Sequence, residues 1–326
     1  MKVAVVGCGG MGQWHAMSYA RMPGVTLVGV CDSEFELAKE AAGKTNTTAY
    51  RSFEEMAASV PFDVVSIAVP SYLHRELVAQ AAAAGKHVIC EKPIALRQED
   101  AEAMIRCCED NGVRLFVGHV VRFFPEFAQI KRQIDEGVIG KVGVAHARRV
   151  GGHPGDVKPW FKEADRSGGV IVDLMVHDID FMRWALGEVK TVYAMGRTDD
   201  RMDYALATLV FESGAVANLE AFWGYPGSFR YSAEFAGSKG LVSTDSMKAQ
   251  SLQIRRTAEA DSGGKVVEIP QSPGFADPYE LELAHFLSCI ASGAEPIVTA
   301  RDACKALEIA EAARESIRTG QVVALQ

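Results

Sequence analysis

Val3-Ala4-Val5-Val6, running straight into Gly7-Cys8-Gly9-Gly10-Met11-Gly12, is the stretch on which the fold turns. Four consecutive apolar residues predict a short strand covered on both faces. The G-x-G-x-x-G run then predicts a tight turn that opens a helix over Met11–Arg21. Glycine there allows positive φ, lets the backbone approach a pyrophosphate and lets helix and strand pack closely. The free amides at the helix start, with their partial positive charge, hold phosphate. A second apolar run, Thr26–Cys31, ends at Asp32, twenty residues beyond Gly12. A carboxylate at that point can accept hydrogen bonds from an adenosine ribose. The pattern therefore predicts a dinucleotide site with Gly7, Gly9, Gly10, Met11, Gly12 and Asp32 as contacts. Asp32 would repel a 2′-phosphate, and no Lys or Arg among Ser33–Leu37 offsets it, so the expected cofactor is NAD rather than NADP.

Working outward, further Val/Ile-rich runs at Asp63–Val69, His87–Cys90 and Arg114–Val117 alternate with helical patterns at Glu34–Ala42, Phe53–Ala58, Leu73–Ala84 and Gln98–Asn111. Strand alternating with helix predicts an α/β fold, a doubly wound parallel sheet of the Rossmann type. The pattern changes near Gly118–Phe124, which divides the chain into an expected dinucleotide-binding domain, 1–120, and a second domain, 121–326. In the second domain a helix (Pro125–Glu136) and a strand (Val142–Val150) lead through a polar, glycine-rich loop to an apolar helix, Val170–Leu186. Strands at Thr191–Gly196, Tyr204–Phe211, Val216–Trp223 and Tyr231–Phe235 follow with no helix between them. That order predicts an α+β domain with a large, mostly antiparallel sheet. Two closing helices, Tyr279–Ser292 and Ala300–Thr319, are expected to pack back on the first domain. The sequence assigns no role to Met247–Lys265.

Ligands of an open parallel sheet lie beyond the carboxyl ends of its strands. Two segments stand there: Pro70, Ser71 and His74 after one strand, Glu91, Lys92 and Pro93 after the next. Pro70, Ser71, His74, Glu91 and Lys92 are thus expected against the nicotinamide half of the cofactor. A lysine in that place can orient a substrate hydroxyl and stabilise alkoxide charge; a surface lysine paired with Glu91 is the plainer alternative. The helix Val170–Leu186 leaves almost no solvent face, yet carries Asp173 and His177 four residues apart, with Asp180 one turn on. Burying such groups is costly unless they are paired or face a polar cavity. A catalytic base beside a reacting carbinol gives them a purpose, a structural Asp–His pair being the alternative. No third ligand nearby supports a metal.

These motifs together resemble the Gfo/Idh/MocA oxidoreductase family, the glucose–fructose oxidoreductase and inositol dehydrogenase group, over essentially the whole chain. The resemblance rests on Gly7–Gly12, Glu91-Lys92-Pro93, Gly118-His119-Val120-Val121-Arg122-Phe123 and Ser167-Gly168-Gly169…Asp173…His177-Asp178-Ile179-Asp180. It implies that Lys92, Asp173 and His177 are catalytic, with His177 taking a hydroxyl proton while the carbinol hydride passes to nicotinamide. It also implies sugar, inositol or polyol substrates, and a homodimer or homotetramer built through the C-terminal sheet. His119 stands where many relatives have an aromatic residue, and Val170 and Met175 stand where many have smaller ones. His119, Arg122 and Trp160, beside Asp173 and His177, are the candidate substrate contacts.

Composition fits this class. Apolar residues make up 48% of the 326 and charged residues 23%, and the net charge is −8. An acidic chain without clustered Lys and Arg argues against nucleic acid or an anionic membrane as partner. No run approaches the ~20 apolar residues that span a bilayer, and the N-terminus has no signal-peptide pattern. Seven cysteines without C-x-x-C spacing fit reduced thiols in the cytoplasm. Two other functions share the same fold: a sensor that binds dinucleotide without turnover, and a redox-neutral enzyme that recycles bound NAD.

Overall fold

A computed structural model of the chain describes residues 1–248, 253–256, 267–270 and 277–325. Most of Met247–Lys265 lies outside the described residues. The first sheet has six parallel strands: β1 (Lys2–Val6), β2 (Thr26–Cys31), β3 (Ala49–Tyr50), β4 (Val64–Ile67), β5 (His87–Glu91) and β6 (Leu115–Gly118). Their order is β3-β2-β1-β4-β5-β6, with the crossing point between β1 and β4. The Rossmann sheet expected from the alternation is therefore present. β3, two residues long, escaped the sequence because so short a strand shows no period. Helices α1 (Gly10–Arg21), α2 (Phe35–Thr45), α3 (Phe53–Ser59), α4 (His74–Ala83) and α5 (Gln98–Asp110) are the crossovers. β4 and β5 are fully buried apart from the intermediate His87, as continuous Val/Ile runs require.

α6 (Pro125–Asp135) leads into the second sheet. β7 (Val142–Gly151) is followed by a short α7 (Ala164–Ser167) and by α8 (Val176–Leu186). Then come β8 (Val189–Thr198), β9 (Asp203–Phe211), β10 (Val216–Trp223), β11 (Arg230–Gly237) and β12 (Gly240–Asp245). A separate antiparallel pair, β13 (Gln253–Arg256) with β14 (Val267–Pro270), precedes α9 (Pro278–Ser292), α10 (Ala300–Thr319) and β15 (Val323–Ala324). The large sheet runs β12-β11-β7-β10-β9-β8-β15, antiparallel throughout except where β10 lies parallel to β7.

One face of this sheet is covered by α8 and α10. Ala205, Ala207 and Leu209 of β9 alternate inward with half-buried neighbours pointing the other way. The sequence reads Val170–Leu186 as one α-helix, and the structure corrects this. Ile171–Met175 is a π turn, and regular α-helix begins only at Val176. Periodicity could not show it, because a nearly all-apolar segment satisfies either winding.

Of the closing helices, α9 returns to the first domain. Leu283, Phe286 and Leu287 join Val3, Val5, Tyr19 and Phe116 in one core cluster, and the Phe116 and Phe286 rings lie 5.1 Å apart. Each such side chain taken from water stabilises the fold by about 1.5–3 kcal/mol. α10, started by a capping box between Thr299 and Asp302, packs on β8 and α8 and reaches the first domain at α5.

Candidate active site

β1 delivers the chain into Gly7 at φ +88°, where a Cβ would stand 2.6 Å from the Ala68 carbonyl oxygen. At Gly12 a Cβ would come within 1.7 Å of the Gly7 oxygen, so only glycine lets α1 start directly beneath the turn. Gly9 caps α1 with no side-chain bond, and the first turn carries no acid. The space above Gly10 is open to 4 Å. Bare amides at a helix start, with room for a phosphate above them, fit a dinucleotide pyrophosphate. Asp32 is held in place at the end of β2: its two carboxylate oxygens accept the Cys8 amide at 2.7 Å and the Glu34 amide at 2.8 Å.

Beyond β4, Pro70 and Ser71 open a single 3-10 turn, Ser71–Leu73, at the edge of the cleft. His74 is buried, with Nδ1 2.9 Å from the Pro93 carbonyl oxygen and Nε2 3.0 Å from that of Val69. The ring thus sits between the two loops expected to meet the cofactor. Burial lowers the basicity of His74, so the neutral ring donates its single N–H to one of these two carbonyls while lying between the loops that carry them. Glu91 also points inward. Its Oε1 meets His15 Nε2 at 3.1 Å and its Oε2 accepts the Lys92 amide at 3.2 Å, so it supports the site from below. Burial would raise the Glu91 carboxyl, but the His15 bond and the nearby Lys92 charge outweigh it and hold it below the ordinary range.

Lys92 turns the other way and crosses to the second domain. Its Nζ donates to the Asp173 carbonyl at 2.6 Å and to Asp173 Oδ1 at 2.9 Å, with both side chains mostly buried. The π turn thus presents both a backbone oxygen and a carboxylate of one residue to one ammonium. His177, one turn on, is half-buried with Nδ1 enclosed and unpartnered. Burial, with the charges of Lys92 and Arg149 and the nearby His119 ring, pushes the His177 imidazole well below its usual value. It stands neutral at pH 7, the state a base requires.

Around this centre other ions are committed elsewhere. Arg122, expected at the pocket wall, is buried with Nε and Nη2 on Asp180 at 2.8 and 2.6 Å and Nη1 on the Ile297 carbonyl at 2.7 Å. All three guanidinium nitrogens thus bond protein groups, and the buried ion pair with Asp180 gives Arg122 a structural role here. Asp178 takes Arg149 at 3.0 and 2.8 Å. His119 is 1% exposed with neither ring nitrogen bonded, and its Nδ1 is 3.8 Å from Asp180, too far for a hydrogen bond. Trp160 is half-buried on the loop before α7, edge-on to Tyr72 at 6.2 Å.

Two family models divide the chain as these two sheets do. Residues 1–119 match the "Oxidoreductase family, NAD-binding Rossmann fold" and residues 131–325 its "C-terminal alpha/beta domain". The chain belongs to the Gfo/Idh/MocA oxidoreductase family. It is 32% identical to scyllo-inositol 2-dehydrogenase (NAD(+)) of Bacillus subtilis (strain 168) over 100% of this chain and 96% of that one. Among solved structures, GenD2 from gentamicin A biosynthesis in complex with NAD matches with a TM-score of 0.89 at 25% identity, covering 100% of this chain and 96% of that one. The myo-inositol 2-dehydrogenase of Lactobacillus plantarum matches with 0.86 at 26%, covering 100% and 99%. As a member of this family, the protein is an NAD-binding oxidoreductase.

Of the residues singled out in the sequence, the structure brings Lys92 onto Asp173 and places His177 and His119 within range of the Lys92 charge. It sets Arg122, His74 and Glu91 behind them as supports. Sequence reading missed His15, which holds Glu91, and Glu282 of α9. Glu282 is 1% exposed, and its Oε2 and Glu91 Oε1 converge on the space above Gly118. A signal existed for Glu282. It sits beside Leu283 and ahead of Phe286 on an apolar stripe, the same anomaly that singled out Asp173.

Proposed function

We propose that this protein is an NAD-dependent dehydrogenase of an uncharged polyol, an inositol or a sugar, with Lys92, Asp173 and His177 as its catalytic residues. The observation that carries the reading is the Lys92–Asp173 pair beside a neutral, half-buried His177 at the carboxyl edge of the Rossmann sheet. Bound NAD supplies the hydride acceptor. Asp173 takes two of the three Nζ donors of Lys92, leaving one to bond a substrate hydroxyl oxygen. The Lys92 charge then stabilises that oxygen as it becomes an alkoxide and collapses to a carbonyl. His177, with Nδ1 enclosed, receives the hydroxyl proton at Nε2.

The substrate class follows from charge. Lys92 and Arg149, the cations whose charges act on His177, are each paired with a carboxylate, which disfavours a phosphate or carboxylate on the substrate. The two unbonded nitrogens of His119 suit a hydroxyl. Names of relatives support the same class, since several are inositol dehydrogenases.

A homo-oligomer is part of this proposal. The uncovered face of the large sheet carries a ladder of Leu241, Ala236, Val144, Val216, Val210 and Thr191 across six strands, with exposed Tyr193 and Met195 beside it. Such a face suits a second copy. The seven free cysteines suit the reducing cytoplasm, and no helix among the described residues is long and apolar enough to cross a membrane.

The test is NADH absorbance with NAD against inositols, alditols, aldoses and nucleotide sugars. NADH formation with inositols or neutral sugars is the expected result. No turnover with any of them, in protein shown to bind NAD, overturns the reading.

A further inference from the structure

Between β7 and α7 the chain forms a strap of two 3-10 turns, Pro154–Asp156 and Pro159–Lys162. Its own bonds shape it: the Lys158 amide donates to the Pro154 carbonyl at 2.9 Å, and His153 Nδ1 accepts the Gly155 amide at 3.0 Å. The strap belongs to the second domain but meets the first on both sides of the dinucleotide cleft. On the β4 side Trp160 lies edge-on to Tyr72. On the β1 side Lys158 Nζ comes within 3.5 Å of where a Cβ would sit on Gly9.

Among the described residues, no carboxylate is paired with a cation there. Lys162 is paired with Asp156 at 3.0 Å and Arg166 with Glu163 at 3.1 Å, whereas Lys158 forms no ion pair among the described residues. Gly9 begins a helix of twelve residues, whose uncapped amides present partial positive charge. An ammonium facing that end meets repulsion unless an anion lies between them. The anion that an NAD-binding Rossmann turn receives at this point is the pyrophosphate.

We propose that Lys158 is a pyrophosphate ligand contributed by the second domain, and that the strap closes over NAD from the side opposite α1. Helix amides hold the phosphates from below and the ammonium holds them from above. Because Trp160 is two residues away on the same strap, closure over the cofactor also sets one wall of the substrate cleft. The proposal rests on NAD binding at Gly7–Gly12 and is independent of which polyol is oxidised.

Lys158 is exposed, so substitution leaves the core intact. The experiment measures dissociation constants of NAD, ADP-ribose and adenosine, by competition against NADH fluorescence, for the wild type, Lys158→Ala, Lys158→Arg and Lys158→Glu. One lost charge-assisted hydrogen bond at an exposed site weakens NAD and ADP-ribose about tenfold in the Ala variant. The Glu variant loses more, Arg restores most of the affinity, and adenosine, which lacks phosphate, is unaffected. The salt dependence of NAD binding becomes shallower in the Ala variant. NAD and ADP-ribose binding within twofold of wild type in Lys158→Ala overturns the proposal, as does an equal loss for adenosine. These outcomes hold whether or not any tested polyol is turned over.

Discussion

The glycine turn after β1 and the π turn before α8 are built by opposite means. At the first, side chains are removed: a methyl group on Gly7 or Gly12 would collide with backbone. At the second, charged side chains are buried, each matched to a partner brought from far along the chain. Lys92 and Asp173 are 81 residues apart, and Arg122 and Asp180 are 58 apart. The turn is a steric arrangement that fails at an atom added to Gly7 or Gly12. The helix is an electrostatic arrangement that fails at any removed partner.

The contrast can be broken most sharply at the chemistry. His177→Ala and Lys92→Ala are each expected to lower kcat about a thousandfold, equivalent to about 4 kcal/mol. NAD affinity is expected to stay at the wild-type level, because neither residue belongs to the glycine turn. Near-wild-type turnover with the true substrate would remove both from the mechanism. In wild type, the acid limb of kcat should fall well below pH 6.5, because His177 resists protonation.

Next in size is Arg122→Ala, expected to cost about 3 kcal/mol in urea denaturation, because Asp180 is left buried and unpaired. Gly7→Ala follows, at about 2 kcal/mol from overpacking and a strained φ, with NAD binding lost along with it. If Gly7→Ala bound NAD normally, the steric account of the turn would be wrong.

The smallest effect sharpens the electrostatic side. Burial, and then the negative charges of Glu91 and Asp180, raise the Glu282 carboxyl well above its usual value. A carboxyl raised in the folded state leaves stability intact below its unfolded pKa of ~4.3 and erodes it as pH climbs toward the folded value. Glu282→Gln mimics the protonated acid. It should therefore match wild type near pH 4 and exceed it in stability near pH 8. Equal stability at both pH values would show that Glu282 is ionised in the fold.

Sequence alone gave away the steric half of the molecule more readily than the electrostatic half. Gly7–Gly12, Asp32 and the alternation of strand and helix follow from local pattern, since φ, turn and period are properties of neighbours in the chain. The anomaly of Asp173 and His177 in an apolar helix was also legible. Which cation each acid chooses was not, because partner choice depends on how two domains meet. Arg122 looked like a ligand contact until Asp180 was seen to take it. Lys158 carried no signal, as its meaning lies only in standing over Gly9.

The return of α9 to the first domain has a consequence for the order of synthesis. Val3, Val5, Tyr19 and Phe116 are finished early on the ribosome, but Leu283, Phe286 and Leu287, which share their core, are added after almost the whole second domain. Until then the nascent N-terminal half displays an uncovered apolar surface, the kind that chaperones bind and that aggregates. The two domains are therefore separate in sequence but mature together, because α9, made after β7 to β12 of the second domain, completes the first core.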